Sequence, residues 1–407
     1  VTTDVADQAI TLGTLASTGN VILSTAGTSG HVTIDNGTTA LGVQGTVNGN
    51  LALTSGEAIT DSATLTVSGT TTATTDVNNK AITLDNLVST GNVILATQGT
   101  TGHATIDNTT TALGVQGTVN GNLALTSGAA ITDSAALVVS GTTTVTTDVA
   151  DQAITLGTLA STGNVTLNSS GTTGHAVVNN TTTALGLSAS SIGGTFTAET
   201  DNSITVNGTV TSKGVTSLSA SDDVIFVAAG ALASTNGNIT VTADDDNTPA
   251  GTGGAITMAN GATINSGTGT ITLSADEDIA LGGLTTTNAT GAAVSITSDN
   301  GSITDGGDTS VDITASTTGA VVTLTAKNAI GTVSGDSVYL DPADTGYAGN
   351  PLETAILTAS ITTSAVNSDI AIDNTSSVGL TISALQPGGA GNAASAWIRN
   401  SAALDVS

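Results

Sequence analysis

Thr39 to Gly56 reads TALGVQGTVNGNLALTSG, and the same stretch returns unchanged from Thr111 to Gly128. Val1 to Val21 likewise returns unchanged as Val145 to Val165. Asp4, Asp76 and Asp148 open equivalent segments, which sets a 72-residue period, and His31, His103 and His175 keep it. The third copy runs true to about Leu187 and then diverges. Long, nearly identical repeats are the mark of units that stack on one another. The expected organisation is a regular shaft over 1–187 and a divergent continuation with longer acidic loops over 188–407.

Inside each repeat, short segments alternate an aliphatic residue with Thr or another small residue. Ile10-Thr11-Leu12, Val32-Thr33-Ile34 and Leu51-Ala52-Leu53 set the pattern, and Ile204-Thr205-Val206 and Ile271-Thr272-Leu273 continue it. A period of two gives strands with one buried and one wet face. β-Branched Val and Thr suit a pleated strand. Gly-Asn, Asn-Gly and Ser-Gly pairs bound the strands as turns. Helical spacing is sustained nowhere, although Ala396 to Arg399 is compatible with one helical turn. Only five of 407 residues are aromatic, and a sandwich core between sheets usually wants more. The fold class expected is all-β: a right-handed parallel β-helix, a solenoid rod whose thin core is filled by short aliphatic side chains. Each repeat would divide into three coils of about 24 residues or four of about 18, giving about 17 to 23 coils and a rod roughly 80 to 110 Å long.

Composition excludes several functions. Four Lys and Arg against 32 Asp and Glu give a net charge of −28. No basic stripe for nucleic acid or anionic lipid can be built from that. There is no Cys, which removes disulfides and thiolate metal sites. No apolar run is long enough for a membrane helix, and the first residues lack the features of a signal peptide. If exported, the chain is a mature or excised piece. Disorder does not fit, because 38% of residues are hydrophobic and only 9% charged.

Three groups of residues invite chemical readings. The His residues lie several coils apart, too far to share one ion, and read as turn residues carried along by duplication. The acidic runs Asp244-Asp245-Asp246 and Asp276-Glu277-Asp278 are calcium candidates, since Ca²⁺ takes six to eight oxygens that adjacent loops can supply. Asp341 with Asp344 is a lesser one. The spacing of an EF-hand is absent, and solvated loops are the commoner explanation. A polysaccharide-cleaving site would need paired carboxylates beside sugar-stacking aromatics. Trp397, Tyr339, Tyr347, Phe196 and Phe226 are dispersed, as are Lys80, Lys213, Lys327 and Arg399. The expectation is therefore no enzymatic activity, no catalytic residue and no certain cofactor.

The C-terminal stretch Ser401-Ala-Ala-Leu-Asp-Val-Ser407 follows Ser134-Ala-Ala-Leu-Val-Val-Ser140, and Val145, the equivalent of Val1, lies a few positions further on. First and last residues thus share one register. That is expected of a segment of a longer chain or of copies joined tail to head.

Ala58-Ile-Thr-Asp-Ser-Ala-Thr-Leu-Thr-Val-Ser-Gly-Thr-Thr71 and its counterpart Ala130 to Thr143 resemble the repeats of filamentous-haemagglutinin-like proteins. So do Asn238-Ile-Thr-Val-Thr-Ala-Asp244, Thr270 to Asp276, and Asn328-Ala-Ile-Gly-Thr332 with Asn350-Pro-Leu-Glu-Thr354. These are large bacterial surface or secreted adhesins, often exported by two-partner secretion. The resemblance implies a right-handed β-helical shaft outside the cell, at a bacterial surface. The expected function is a structural fibre or adhesin shaft, with end-to-end self-association or contact with a host or neighbouring cell as the partnership and no direct insertion into a membrane. The alternatives are a carbohydrate-binding or polysaccharide-cleaving β-helix and a calcium-organised surface-layer or matrix protein.

Overall fold

In a computed structural model of the chain, residues 1–244, 253–307, 310–332, 349–366, 368–388 and 396–406 are described. They form strands joined by turns, with no helix among them. Strand ladders are parallel throughout, and the antiparallel pairing of Thr332 with Asn350 is an isolated bridge. The fold is a β-solenoid of about 16 turns. Ala396–Asn400 is a strand paired with Ile370–Asn374, not a helical turn. Parallel pairing to the coil beneath satisfies every second backbone group there, which a single exposed helical turn could not do. The strands fall into two compact units, Val1–Gly186 with Ser190–Gly194, and Leu187–Ala189 with Thr195–Ser407.

The first unit winds between two ladders. In one of them Ile10 pairs with Val32, Val32 with Leu51, Leu51 with Thr71 and Thr71 with Val93. Coil length is not constant, since the step from Val32 to Leu51 is shorter than the steps on either side of it. Ile82 is the repeat equivalent of Ile10, yet it pairs with Ala104 in the opposite ladder. Ile154, one repeat further, is back in the first ladder beside Ile131. The 72-residue repeat thus spans three and a half turns, neither three nor four, and equivalent residues change walls from one repeat to the next. Coil length is free to do this because it is set by corner residues and strand bends, not by the alternation pattern. Gly45 (φ 112°) and Gly117 (φ 114°) mark such a bend, where the pairing register shifts. A Cβ at either site would collide with the carbonyl oxygen of Leu23 or Leu95 in the coil beside it.

The core of this unit is a column of Val, Leu and Ile, most of them at most 1% exposed. Each such side chain contributes about 1.5–3 kcal/mol by leaving water. Polar residues enter the column where corners need partners. Asn36, Asn108 and Asn180, one per repeat, are completely buried. Asn108 Oδ1 accepts from Ser89 N at 2.7 Å, and its Nδ2 donates to the carbonyls of Ser89, Thr111 and Ala112 at 2.9–3.0 Å. Asn36 and Asn180 make the corresponding bonds with Ser17 and Ser161. One side chain thereby ties its own corner to the coil beneath it.

The second unit has three ladders. Phe196–Thr200, Thr216–Ala220, Ile239–Ala243, Ile271–Ala275 and Val294–Ser298 stack in the first. Ile204–Val206 begins the second and Thr209–Ser212 the third. Larger side chains fit here, and Phe196 and Phe226 are fully buried. Loops between strands lengthen, so that single pairing steps run from Ile239 to Ile271 and from Val322 to Ala359. These insertions are why the turns number fewer than a uniform coil length predicts.

Candidate functional site

The regular corners of the first unit carry recurring polar side chains. Asp7, Asn79 and Asp151 adopt φ of 62–64° at equivalent corners. Asp7 Oδ1 accepts from the backbone N–H groups of Thr28 and Ser29 at 2.7 and 2.9 Å, and Asp151 does the same with Thr172 and Thr173. Those bonds hold the Asp7 carboxyl below its ordinary range, because they favour the charged form. His31 and His103 accept through Nδ1 from Asn50 N and Asn122 N, each at 2.8 Å. Both rings are exposed and serve the winding of the coil. They are turn residues, as expected, and successive ones lie on opposite walls.

Of the sequence-derived calcium candidates, Asp244 and Asp276 follow the stacked strands Ile239–Ala243 and Ile271–Ala275 and meet beside Gly254 on adjacent coils. Asp245 and Asp246, like Asp341 and Asp344, lie outside the described residues. Asp244 has φ 58° and donates its N–H to Asp222 O at 3.3 Å. Asp276 Oδ1 accepts from Asn300 Nδ2 at 2.6 Å, whereas Asp278 Oδ1 accepts from Ser302 N at 2.7 Å. Glu277 is held through its backbone, donating to Gly254 O and accepting from Ser298 Oγ. Each of these acids is engaged with a turn of its own or the next coil.

A closer gathering of carboxylates comes from residues distant in sequence. Asp305, Asp312 and Glu353 bring one oxygen each within 4.8 Å of one another, and Asp305 and Asp312 are 7% and 2% exposed. Stacking does this. Asp305 ends the strand Ile303–Asp305, Asp312 precedes Ile313–Ala315, and Glu353 lies in Leu352–Ile356, which pairs with that strand. Asp312 Oδ2 also accepts from Glu353 N at 3.0 Å. One coil further, Glu353 is beside Asp373 and Asp373 beside Arg399. Arg399 grips Asp373 with Nε and Nη2 and lies 5.9 Å from the centre of the Trp397 ring. Asp373 raises the guanidinium's affinity for its proton, and Glu353 adds to it. Three oxygens at this separation could ligate a hard cation such as Ca²⁺. The neighbouring Arg399 supplies positive charge that a structural acid cluster also needs. No single sequence motif announces the group, because its members belong to three different strands or strand ends and Glu353 lies far along the chain from the other two.

The outward face of the five-residue ladder in the second unit is lined by hydroxyl groups, with Glu199 at the head of one column beside Ser219. Thr197, Ser217, Thr240, Thr272, Ser295 and Thr323 follow one another along one column. Ser219, Thr242, Ser274, Thr297 and Thr325 form a second beside it. A shallow groove elsewhere on the unit is lined by Thr211, Ser212, Ser234, Thr235 and Asn265 with Ala233 and Gly267. Hydroxyl and amide groups line it, without a carboxylate or an aromatic ring.

The fold therefore defines a repeat β-solenoid. Residues 29–97, 101–168 and 173–232 each match a family model described as repeats of unknown function (DUF5649). The three matches begin in step with the 72-residue repeat. The chain is similar to that family over those stretches. No curated protein and no solved structure matches the chain.

Proposed function

We propose that this chain is the shaft of an extracellular fibre or adhesin of the filamentous-haemagglutinin-like kind, carried at a bacterial cell surface and without enzymatic activity. The observation that carries the reading is the coil-to-coil ladder itself: each turn pairs with the next through backbone bonds, and one fully buried Asn per repeat fastens the corners. Such a ladder resists bending and extension because every coil is held by its neighbours. The charge of −28 supports the same role, since it keeps neighbouring shafts apart sideways. Scarce Lys and Arg leave few sites for trypsin-like proteases. In this role copies associate end to end, or the chain is one length of a longer surface protein, and the hydroxyl columns are the surface offered to other cells. Negative-stain imaging of the purified chain tests it. Rods, alone or joined at their ends, are expected. Compact globules would overturn the reading.

A further inference from the structure

Asp305, Asp312 and Glu353 stand where two ladders of the second unit come together. Ile303 is bridged to Ile330 and Ile330 to Ile370, at one end of the strand Ile370–Asn374. Ile313 pairs with Thr354 and Thr354 with Asn374, at the other end of the same strand. Two short strands are thus succeeded, two steps on, by one longer strand. Asp305 closes the first short strand, and Asp312 immediately precedes the second. Asp312 N also donates to Glu353 O at 2.7 Å, while Glu353 N donates back to Asp312 Oδ2 at 3.0 Å. The backbone therefore holds these acids together whatever their side chains prefer.

Their oxygens are not fully served by the protein. Asp305 Oδ1 accepts from Gly307 N at 2.9 Å. Asp305 Oδ2 and Glu353 Oε2 are sealed from solvent and accept no hydrogen bond. Sealing a carboxylate oxygen away from every donor is costly. Here the cost falls on a group that already sets one oxygen from each of three acids within 4.8 Å of one another.

Positive charge is scarce at this place. Glu353 lies beside Asp373, which Arg399 grips with Nε and Nη2. One guanidinium thus serves four neighbouring carboxylates. The chain's other three cationic side chains are elsewhere. Lys80 pairs with Glu57, and Lys327 Nζ donates to Asn300 Oδ1. Lys213 follows a strand four pairing steps from Ile313–Ala315, at the opposite end of that ladder's strands from Asp312.

We propose that Asp305, Asp312 and Glu353 bind one Ca²⁺ ion, which pins the corner between the two ladders. The donors are carboxylate oxygens, without nitrogen or sulfur, and such a set selects a hard cation. Two of the three acids are buried, which leaves little room for the water shell that Mg²⁺ keeps. Ca²⁺ accepts an irregular set of oxygens in its place. Glu353, the half-buried member, is the side by which the ion and its remaining waters enter. The site does not depend on the shaft role, since the same pin would serve this fold in any function.

Amide hydrogen exchange of the full chain tests the site, first stripped with EDTA and then given CaCl₂ at constant ionic strength. Protection of Ile303–Asp305, Ile313–Ala315 and Leu352–Ile356 is expected to rise, by about 100-fold once Ca²⁺ is at about 100 times its dissociation constant. Phe196–Thr200 and Thr216–Ala220, in the same unit, should stay unchanged. Asp305→Asn should abolish the rise and reverse an order. Without metal it removes a buried charge and should be better protected than the parent chain; with Ca²⁺ it should be worse. Glu353→Gln, at the half-buried position, repeats the test if Asp305→Asn folds poorly. Asp276→Asn, in the acidic run, should keep the full response. No rise with Ca²⁺, an equal rise across the unit, a full rise in Asp305→Asn or its loss in Asp276→Asn overturns the proposal. So does protection that rises on acidification but not with Ca²⁺, because protons would then be what holds the acids together.

Discussion

Replacing Asn108 by Ala probes the bond network on which the winding rests. The amide makes four contacts, all to backbone groups of two adjoining coils. Thr111 O keeps a second donor, Ser127 Oγ at 2.7 Å, so its loss is small. Ser89 is completely buried, and its N–H and C=O lose the partners they share with the amide. Each buried group left unsatisfied costs about 1–3 kcal/mol. A water admitted into the vacated space recovers part of this. The net expectation is a loss of about 3 kcal/mol. Because coils of a solenoid can open separately, a global melting curve understates the effect. Exchange protection of the amides from Leu87 to Leu113 should fall by about two decades, which is that energy expressed as an equilibrium constant. Asn108→Asp keeps the shape but turns a negative oxygen toward three carbonyls, and should be at least as damaging. If Asn108→Ala shifted local stability by less than about 0.5 kcal/mol, or if Asn108→Asp were tolerated, the buried amide would not be what fastens the corners.

Other expectations follow from the same geometry. Asp7 makes the first unit sensitive to acid: its carboxyl is held below 3.8, so the support it gives Thr28 and Ser29 is present above that value and is lost as pH falls through the lowered one. Amide exchange at Thr28 and Ser29 should accelerate in strong acid, and in Asp7→Ala at every pH. Gly117→Ala should destabilise its coil by about 3 kcal/mol or more, measured by urea titration, because φ is 114° and the Leu95 carbonyl cannot withdraw from its ladder. Arg399→Met should cost about 2 kcal/mol by leaving the nearly buried Asp373 without its fork of donors, and Arg399→Lys should restore little of it.

The strand pattern and the 72-residue period were legible because both are written in residue types: aliphatic and Thr alternate, and the turn pairs recur. The number of turns per repeat was not. Ile82 and Ile10 have the same neighbours in sequence, and nothing local says that they sit on opposite walls. Asn108 looks like a turn residue and is one, but its burial depends on the coil beneath. The partners of the acidic runs were not legible for a related reason. Neighbours such as Asp276 and Asp278 engage different partners. Acids that do approach one another, Asp305, Asp312 and Glu353, are gathered by stacking rather than by spacing. Ala396–Asn400 is a strand because a paired coil outweighs a short stretch's own preference.

A repeat of three and a half turns gives the first unit the symmetry of a twofold screw. Copying one sequence block decorates both flanks of the solenoid with the same motif, displaced along the axis. Tandem duplication by an odd number of half-turns thus sets equivalent surfaces on both flanks, whereas a repeat of whole turns would line them all along a single side.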